Sequence, residues 1–246
     1  MPSSDVSPAI SIVLPAYNEA RNLEMLLPRL RETLGMLCVM WEIIVIDTVH
    51  PLDDTREICA AEGVRHVRRR GGDNYGDAIR TGIAESLGDR VVIMDTDGSH
   101  DPEFIRTLWE HRGDADIVIA SRYVTGGTTE NPWPLVMLSR LLNIVFSIVV
   151  TLPAHDISNS FRLYRGPQLR STTLLSRHFD VQEEILARLL WEIDPPATVA
   201  EVPFCFKARQ FGESKREMTV FIGAFLGAMV RLRRLRAAIR TEAHAG

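Results

Sequence analysis

Runs of apolar residues punctuate the chain at regular intervals, and they are of two kinds. Ser11–Pro15, Glu42–Asp47, Val64–Val67, Val91–Met94 and Ile117–Ala120 are short and rich in β-branched side chains. Such runs read as strands buried on both faces, as in a parallel sheet. Between them, apolar positions recur every three or four residues. Leu23, Leu26, Leu27, Leu30 and Leu34 share one face of a helix expected from Asn18 to about Leu34, the spacing that lets a helix cover a core. Further helices are expected over Asp54–Ala61, within Gly72–Ser86 and over Pro102–Glu110. Repeated strand–helix units with short connections predict an α/β fold, with a mostly parallel central sheet carrying helices on both faces.

Two longer apolar stretches follow. Leu141–Leu152 is uncharged and stops before Pro153, and Thr219–Val230 is uncharged but contains Gly223 and Gly227. At about 12 residues each, both fall short of the ~20 that a helix needs to span a bilayer. The second runs into Arg231, Arg233, Arg234, Arg236 and Arg240, while Ile222, Phe225, Met229, Leu232, Leu235 and Ile239 form one stripe at helical spacing. A basic amphipathic helix of this kind lies in the interface of an anionic membrane, or else docks on the protein's own core or on a dimer partner. The organisation expected is a tail over residues 1–8, an α/β domain over 9–216 and a C-terminal amphipathic helix over 217–246. Asp180 and Glu183 fit a capping box before a helix over Ile185–Trp191.

Composition narrows the function classes. The 246 residues suffice for one large α/β domain with a substantial core. A net charge of -4 leaves no electrostatic footprint for nucleic acid. Cys38, Cys59 and Cys205 are odd in number and far apart, which fits a reducing cytoplasm better than a disulfide framework or a zinc site. Met1–Pro8 is polar and rich in Ser and Pro, and reads as a tail and not as a signal peptide.

The chemistry centres on Asp95 and Asp97, one residue apart at the end of the run Val91–Met94. Ligands of open α/β sheets bind beyond the carboxyl ends of the strands. Two adjacent carboxylates there suit a magnesium or manganese ion that is also held by substrate phosphates, although a turn capping the next helix is the plainer alternative. The first strand ends in Pro15-Ala16-Tyr17-Asn18-Glu19, without the glycine pattern of a dinucleotide-binding turn, and no phosphate loop of the G-x-x-x-x-G-K-[ST] type occurs. A nicotinamide dehydrogenase or P-loop ATPase is therefore not expected.

Seven segments occur in order: Ile12–Glu19, the strand ending in Asp47, Gly76–Gly82, Met94–Pro102, Ser121-Arg122-Tyr123, Asp156 with Phe161-Arg162, and Phe211–Lys215. Over roughly residues 10 to 216, this series resembles the family 2 glycosyltransferases, most of all the dolichyl- and polyprenyl-phosphate sugar transferases. The resemblance implies a GT-A (Rossmann-like) fold, a nucleotide-sugar donor, a divalent metal and inversion at the anomeric carbon. It implies that Pro15, Tyr17, Asn18, Glu19, Asp47, Asp95 and Arg122 line the donor site, with Asp95 and Asp97 as metal ligands. Asn18 could equally cap the helix that follows. Arg122, Ser139 and Arg140 would meet the acceptor phosphate, although a surface ion pair is an equally common fate for Arg122. Asp97, Asp156, Arg209 and Lys215 would form the catalytic set, with Asp156 as the base if one is needed, or else paired with Arg162 or another local cation, and with Arg209 and Lys215 on a mobile, cation-bearing loop or a merely solvated one. Gln182 and Glu183 fall where acceptor-side residues are expected.

Three departures accompany the resemblance. Thr48 stands where a second acid follows Asp47, Leu135 stands where an arginine is usual, and Asn159-Ser160 replace a glycine-containing pair. The expected activity is transfer of a mannose- or glucose-type sugar to a polyprenyl or dolichyl phosphate by a cytoplasmic protein peripherally bound to a membrane surface. A homo-oligomer or a membrane-protein partner is compatible with this. Transfer to a soluble or natural-product acceptor, or donor binding without turnover, are the alternatives.

Overall fold

In the computed structural model, residues 7–207 and 218–245 are described. Strands β1 (Ile10–Pro15), β2 (Trp41–Asp47), β3 (Arg65–Arg68) and β4 (Arg90–Ile93) alternate with helices α1 (Ala20–Gly35), α2 (Thr55–Glu62) and α3 (Tyr75–Glu85). Helix α4 (Ile105–Glu110), entered through a 3-10 turn at Pro102–Phe104, leads to β5 (Ile117–Ser121) and β6 (Thr128–Thr129). Then come α5 (Trp133–Val150), β7 (Arg162–Arg165), α6 (Gly166–Ser171), α7 (Val181–Trp191), β8 (Val199–Pro203), β9 (Cys205–Phe206) and α8 (Met218–Ala245). Each strand–helix unit expected from the apolar pattern is present within a few residues.

Alternation along the strands divides the core into two layers. Ile10, Ile12 and Leu14 of β1 join Val92, Val118 and the leucine face of α1 on one side of the sheet. Val13 joins Ile44, Ile46, Val91, Ile93 and the α7 residues Ile185 and Leu186 on the other. Successive strand residues point to opposite faces, so runs without polar interruption are what a sheet covered on both sides requires. Helix α3 lies close against β1 and β2: a Cβ on Gly82 would stand 2.2 Å from Val13 Cγ1.

The sheet order is β3-β2-β1-β4-β7-β5-β8. The sheet is mostly parallel, and β7 runs antiparallel to both of its neighbours, β4 and β5. Strand β7 inserts beside β4, and β8 adds parallel to β5 at the edge. Arg162 of β7 is fully buried; its two terminal nitrogens donate to the carbonyls of Gln182 (3.1 Å) and Ile157, while its Nε has no partner among the described residues.

In the second half one expectation is corrected and one open alternative is decided. The apolar stretch at 141–152 belongs to an 18-residue helix, α5, which starts at Trp133 and which length and composition make able to cross a membrane. Only Asn143, Phe146 and Val150 of it are buried. In α8, Leu232 is buried and Met229 and Leu235 pack against the core, so this part of the stripe docks on the protein itself, the second of the two alternatives. Arg231 bonds Ser176 Oγ (2.7 Å) and Asp180 (2.5 Å), and Arg236 bonds the Val150 carbonyl (3.0 Å), which fastens the helix down. The side chains of Ile222 and Phe225 lie outside the described residues.

Local caps also differ from expectation. Helix α1 starts at Ala20 with Glu19 as its N-cap, and Asn18 has a φ of 59°, a left-handed conformation that asparagine tolerates better than most residues. The capping box at Asp180 does not form. Its carboxylate instead accepts the His178 N–H (3.1 Å) and the Arg231 guanidinium.

Candidate active site

Strands β1 and β4 end side by side, and the loops that leave them open a cavity of about 360 Å³. Pro15, Tyr17 and Glu19 line it from the first loop, and Asp95, Thr96 and Asp97 from the second. Arg69, Asp73, Tyr75 and Phe179 complete the wall. Four of the residues expected at a donor site, Pro15, Tyr17, Glu19 and Asp95, thus converge here with the second expected metal ligand, Asp97, beyond the carboxyl ends of the strands, where the sheet leaves room for a ligand.

Asp47 does not reach this cavity with a free carboxylate. One oxygen accepts the Thr48 N–H (2.7 Å) and the other contacts His66 Nε2 (3.0 Å), and the residue is buried. Thr48 turns its hydroxyl to the His50 carbonyl (2.6 Å). Beneath the loop lies Arg69, a buried cation that the sequence reading did not single out. It donates to the carbonyls of Asp47 (3.1 Å) and Asp73 (3.0 Å) and to that of Ala16, and stands 5.9 Å from the Tyr17 ring. Burial lowers its affinity for the proton and the Asp73 and Asp47 carboxylates oppose this, so the charge is anchored by its neighbours. In the run Arg68-Arg69-Arg70 nothing local marks the middle residue as the inward one.

The two aspartates are held differently. Asp97 Oδ1 accepts the Ser99 backbone N–H (3.1 Å) and hydroxyl (2.5 Å). Asp95 Oδ1 accepts the Tyr75 hydroxyl (3.0 Å) and Oδ2 accepts the Ser160 hydroxyl (2.9 Å). Burial first, and then the Asp95 charge, pushes the Tyr75 phenol well above its ordinary value, so it is a neutral donor at physiological pH. The Asp95 backbone N–H is accepted by His100 Nδ1 (3.0 Å), which leaves the His100 proton on Nε2 facing Asn159 Oδ1 (3.2 Å). Burial lowers the proton affinity of His100 and keeps it neutral, and its ring stacks on Phe161 at 4.8 Å.

Hard carboxylate oxygens side by side fit magnesium or manganese. Among the described residues, no group of three or more His, Cys, Asp or Glu side chains converges to hold an ion alone. The donor set fits an ion shared with substrate phosphates, the usual arrangement for magnesium.

Asp156 and Arg122 form a buried unit. The Arg122 backbone N–H and Nε reach Asp156 Oδ2 (2.9 and 2.8 Å), and its Nη2 reaches Oδ1 (2.6 Å). Burial disfavours the Arg122 charge, but Asp156 outweighs it and raises the guanidinium above its ordinary value. Asp156 is fully buried with both oxygens committed, a poor arrangement for a base that must meet substrate. Arg122 is likewise turned to Asp156 and Ser158 (3.0 Å), and not to the cavity.

Ser139 and Arg140 of α5 gather elsewhere, around Tyr123. The Tyr123 hydroxyl donates to Ser139 Oγ (2.8 Å), and the Arg140 guanidinium lies 5.4 Å from the Tyr123 ring. Arg140 lines a second cavity of about 360 Å³ with Tyr123, Asn143, Ile144, Ile148 and His155. Arg209 and Lys215 lie outside the described residues. Gln182 is buried and its Nε2 reaches the Tyr75 hydroxyl (3.3 Å), tying α7 to the first cavity.

Comparison with known proteins places the chain in a family. A dolichol-phosphate mannosyltransferase of Pyrococcus furiosus is 33% identical over 86% of the chain, which spans 60% of that relative's length. A polyprenol monophosphomannose synthase of Mycolicibacterium smegmatis is 31% identical over 83% of the chain and 79% of its own. An undecaprenyl-phosphate mannosyltransferase of Micrococcus luteus is 34% identical, over 82% and 85%. Among solved structures, glucosyl-3-phosphoglycerate synthase from Mycobacterium tuberculosis, in complex with Mn2+, UDP-glucose and phosphoglyceric acid, superposes with a TM-score of 0.69 at 18% identity, covering 92% of this chain and 80% of that one. That likeness establishes a shared GT-A fold. Residues 11–169 match the model of glycosyl transferase family 2, so the chain belongs to that family and is a glycosyltransferase.

Proposed function

We propose that the chain transfers a mannose- or glucose-type sugar from a nucleotide-sugar donor to a polyprenyl or dolichyl phosphate, with inversion at the anomeric carbon and with a magnesium or manganese ion. The observation that carries this reading is the convergence of Asp95 and Asp97 in one cavity with Tyr17, Glu19 and the buried cation Arg69. The names of the three mannosyltransferase relatives support the lipid-phosphate acceptor. When bound, the ion neutralises charge that develops on the departing nucleoside diphosphate.

The residues of the chain supply the rest by positioning. Asp95 and Asp97 hold the ion, and Tyr17 offers a partly exposed ring at the cavity wall. Arg209 and Lys215 are assigned to the same phosphates. A phosphate monoester already carries most of its second charge near pH 7, since that pKa is about 6. The acceptor therefore needs cations more than a base. Arg140 beside Ser139 offers one, and Arg122 serves by fixing Asp156 and the loop around it.

Helix α5 supports a membrane surface as the place of reaction. Trp133, Met137, Leu141, Ile144 and Ile148 recur at intervals of three or four and are all exposed. A continuous exposed apolar stripe marks a contact surface. Here the Arg140 cavity opens beside it through Ile144 and Ile148. The free thiols Cys38, Cys59 and Cys205 fit a cytoplasmic location.

The test is transfer of labelled sugar from GDP-mannose, UDP-glucose or related donors into an organic-extractable polyprenyl phosphate product, with and without manganese. Product is expected only with metal, and the near-isosteric Asp97→Asn variant should lose it about a hundredfold or more. That loss corresponds to several kcal/mol of charge stabilisation at about 1.4 kcal/mol per tenfold. Metal-dependent transfer to a water-soluble acceptor alone, or donor binding without turnover, would replace this reading.

A further inference from the structure

Asp95 is gripped from both sides by groups that the reaction itself does not call for. We propose that the hydroxyls of Tyr75 and Ser160 are positioning groups for Asp95, setting the orientation of its carboxylate and thereby the affinity of the site for its divalent ion. The inference rests on the assignment of Asp95 as a metal ligand.

The direction of the Tyr75–Asp95 hydrogen bond follows from counting protons. A tyrosine hydroxyl has one proton to give. Gln182 Nε2 donates into the Tyr75 oxygen from 3.3 Å, so the phenolic proton is left for Asp95 Oδ1 at 3.0 Å. The Tyr75 ring cannot swing away easily, because it stacks on Phe179 with centroids 4.3 Å apart. Gln182 is itself held: its Oε1 accepts the Tyr164 hydroxyl (3.4 Å) and its carbonyl accepts Arg162 (3.1 Å). Tyr164, Arg162 and Gln182 are all buried. One face of Asp95 is therefore referred through two side chains to the middle of the sheet.

Ser160 grips the other oxygen at 2.9 Å and also lies in hydrogen-bonding reach of the Tyr75 hydroxyl, so the two hydroxyls form one cluster around Asp95. Its backbone is fixed by its neighbours, since Asn159 Nδ2 donates to the Ala120 carbonyl (2.5 Å) and Phe161 is fully buried. A glycine at this position would leave Asp95 Oδ2 without that donor. Each carboxylate oxygen keeps a further lone pair after one hydrogen bond, so the grip restrains rotation and leaves room for a cation. Outer groups that orient a metal ligand commonly control affinity by about tenfold to a hundredfold.

The experiment titrates Mn2+ alone, followed by electron paramagnetic resonance of the free ion, into the full-length chain and into Tyr75→Phe, Ser160→Ala and Ser160→Thr, with thermal melting of each as a check on folding. Tyr75→Phe and Ser160→Ala should each weaken Mn2+ binding about tenfold or more, and Ser160→Thr, which keeps the hydroxyl, should recover most of the loss. KM for the metal should rise more than kcat falls. Should Tyr75→Phe fail to fold, the two Ser160 variants decide. Folded variants that bind Mn2+ as tightly as the unaltered chain would overturn the positioning role. An unaltered chain that binds no Mn2+ would overturn the metal assignment beneath it, a separate and recognisable failure.

Discussion

Asp156 and Arg122 make one unit, and removing either half strands the other. Asp156 is fully enclosed and the Arg122 side chain is only 10% exposed. Breaking a buried pair from one side leaves an uncompensated charge. Asp156→Ala should therefore destabilise the fold by about 3–5 kcal/mol, measured by urea denaturation. A variant with unchanged stability and a shifted pH–rate profile would restore Asp156 to the role of base. Single residues were legible in the sequence where a motif and a strand end coincided, as with Pro15, Tyr17, Asp95 and Asp97. They were not legible where function depends on which way a side chain turns. Asp47 sits at its expected place and faces His66, and Arg122 sits at its expected place and faces Asp156. Arg69, the middle of three arginines, and Tyr75, in a loop-to-helix turn, offered no pattern to read.

Elements were legible when their apolar period was uninterrupted. Strand β7 was missed because Leu163-Tyr164 is framed by arginines, one of them buried by carbonyl partners that only the tertiary fold supplies. Helix α5 was read too short because Arg140 interrupts the apolar run. Its exposed position lets the helix continue through it from a start set by Pro132 and by Pro134 in the first turn. The membrane contact proposed above is accordingly assigned to α5 and not to the C-terminal helix. Met137 and Leu141, both 58% exposed, lie on the outer stripe of α5 and line neither cavity. Burying a large apolar side chain contributes about 1.5–3 kcal/mol. Replacing both with glutamate should reduce pelleting with anionic liposomes by at least about tenfold while leaving the melting temperature unchanged. Undiminished pelleting of the folded double variant would remove α5 from the membrane contact.

At the scale of the whole molecule, the sheet order brings residues far apart in sequence to one rim. Strand β4 lies between β1 and β7, so Asp95 follows one strand while Ser160 precedes its neighbour, and the two meet at 2.9 Å. The same packing decides what α8 does. Ala228 and Leu232 are buried, Met229 and Leu235 pack on the core, and Arg236 covers the Trp191 ring at 5.4 Å. Deleting everything after Lys215 removes these contacts and uncovers the parts of α5 and α7 beneath them. Loss of Leu232 burial alone costs about 1.5–3 kcal/mol, and for a chain of this size each kcal/mol lowers the melting temperature by about 2–4 °C. The truncated protein should therefore melt several degrees lower and lose donor hydrolysis as it unfolds. Liposome binding should persist while it stays folded, because α5 remains. A truncated chain with an unchanged melting temperature and no liposome binding would reverse this assignment and return the membrane contact to α8.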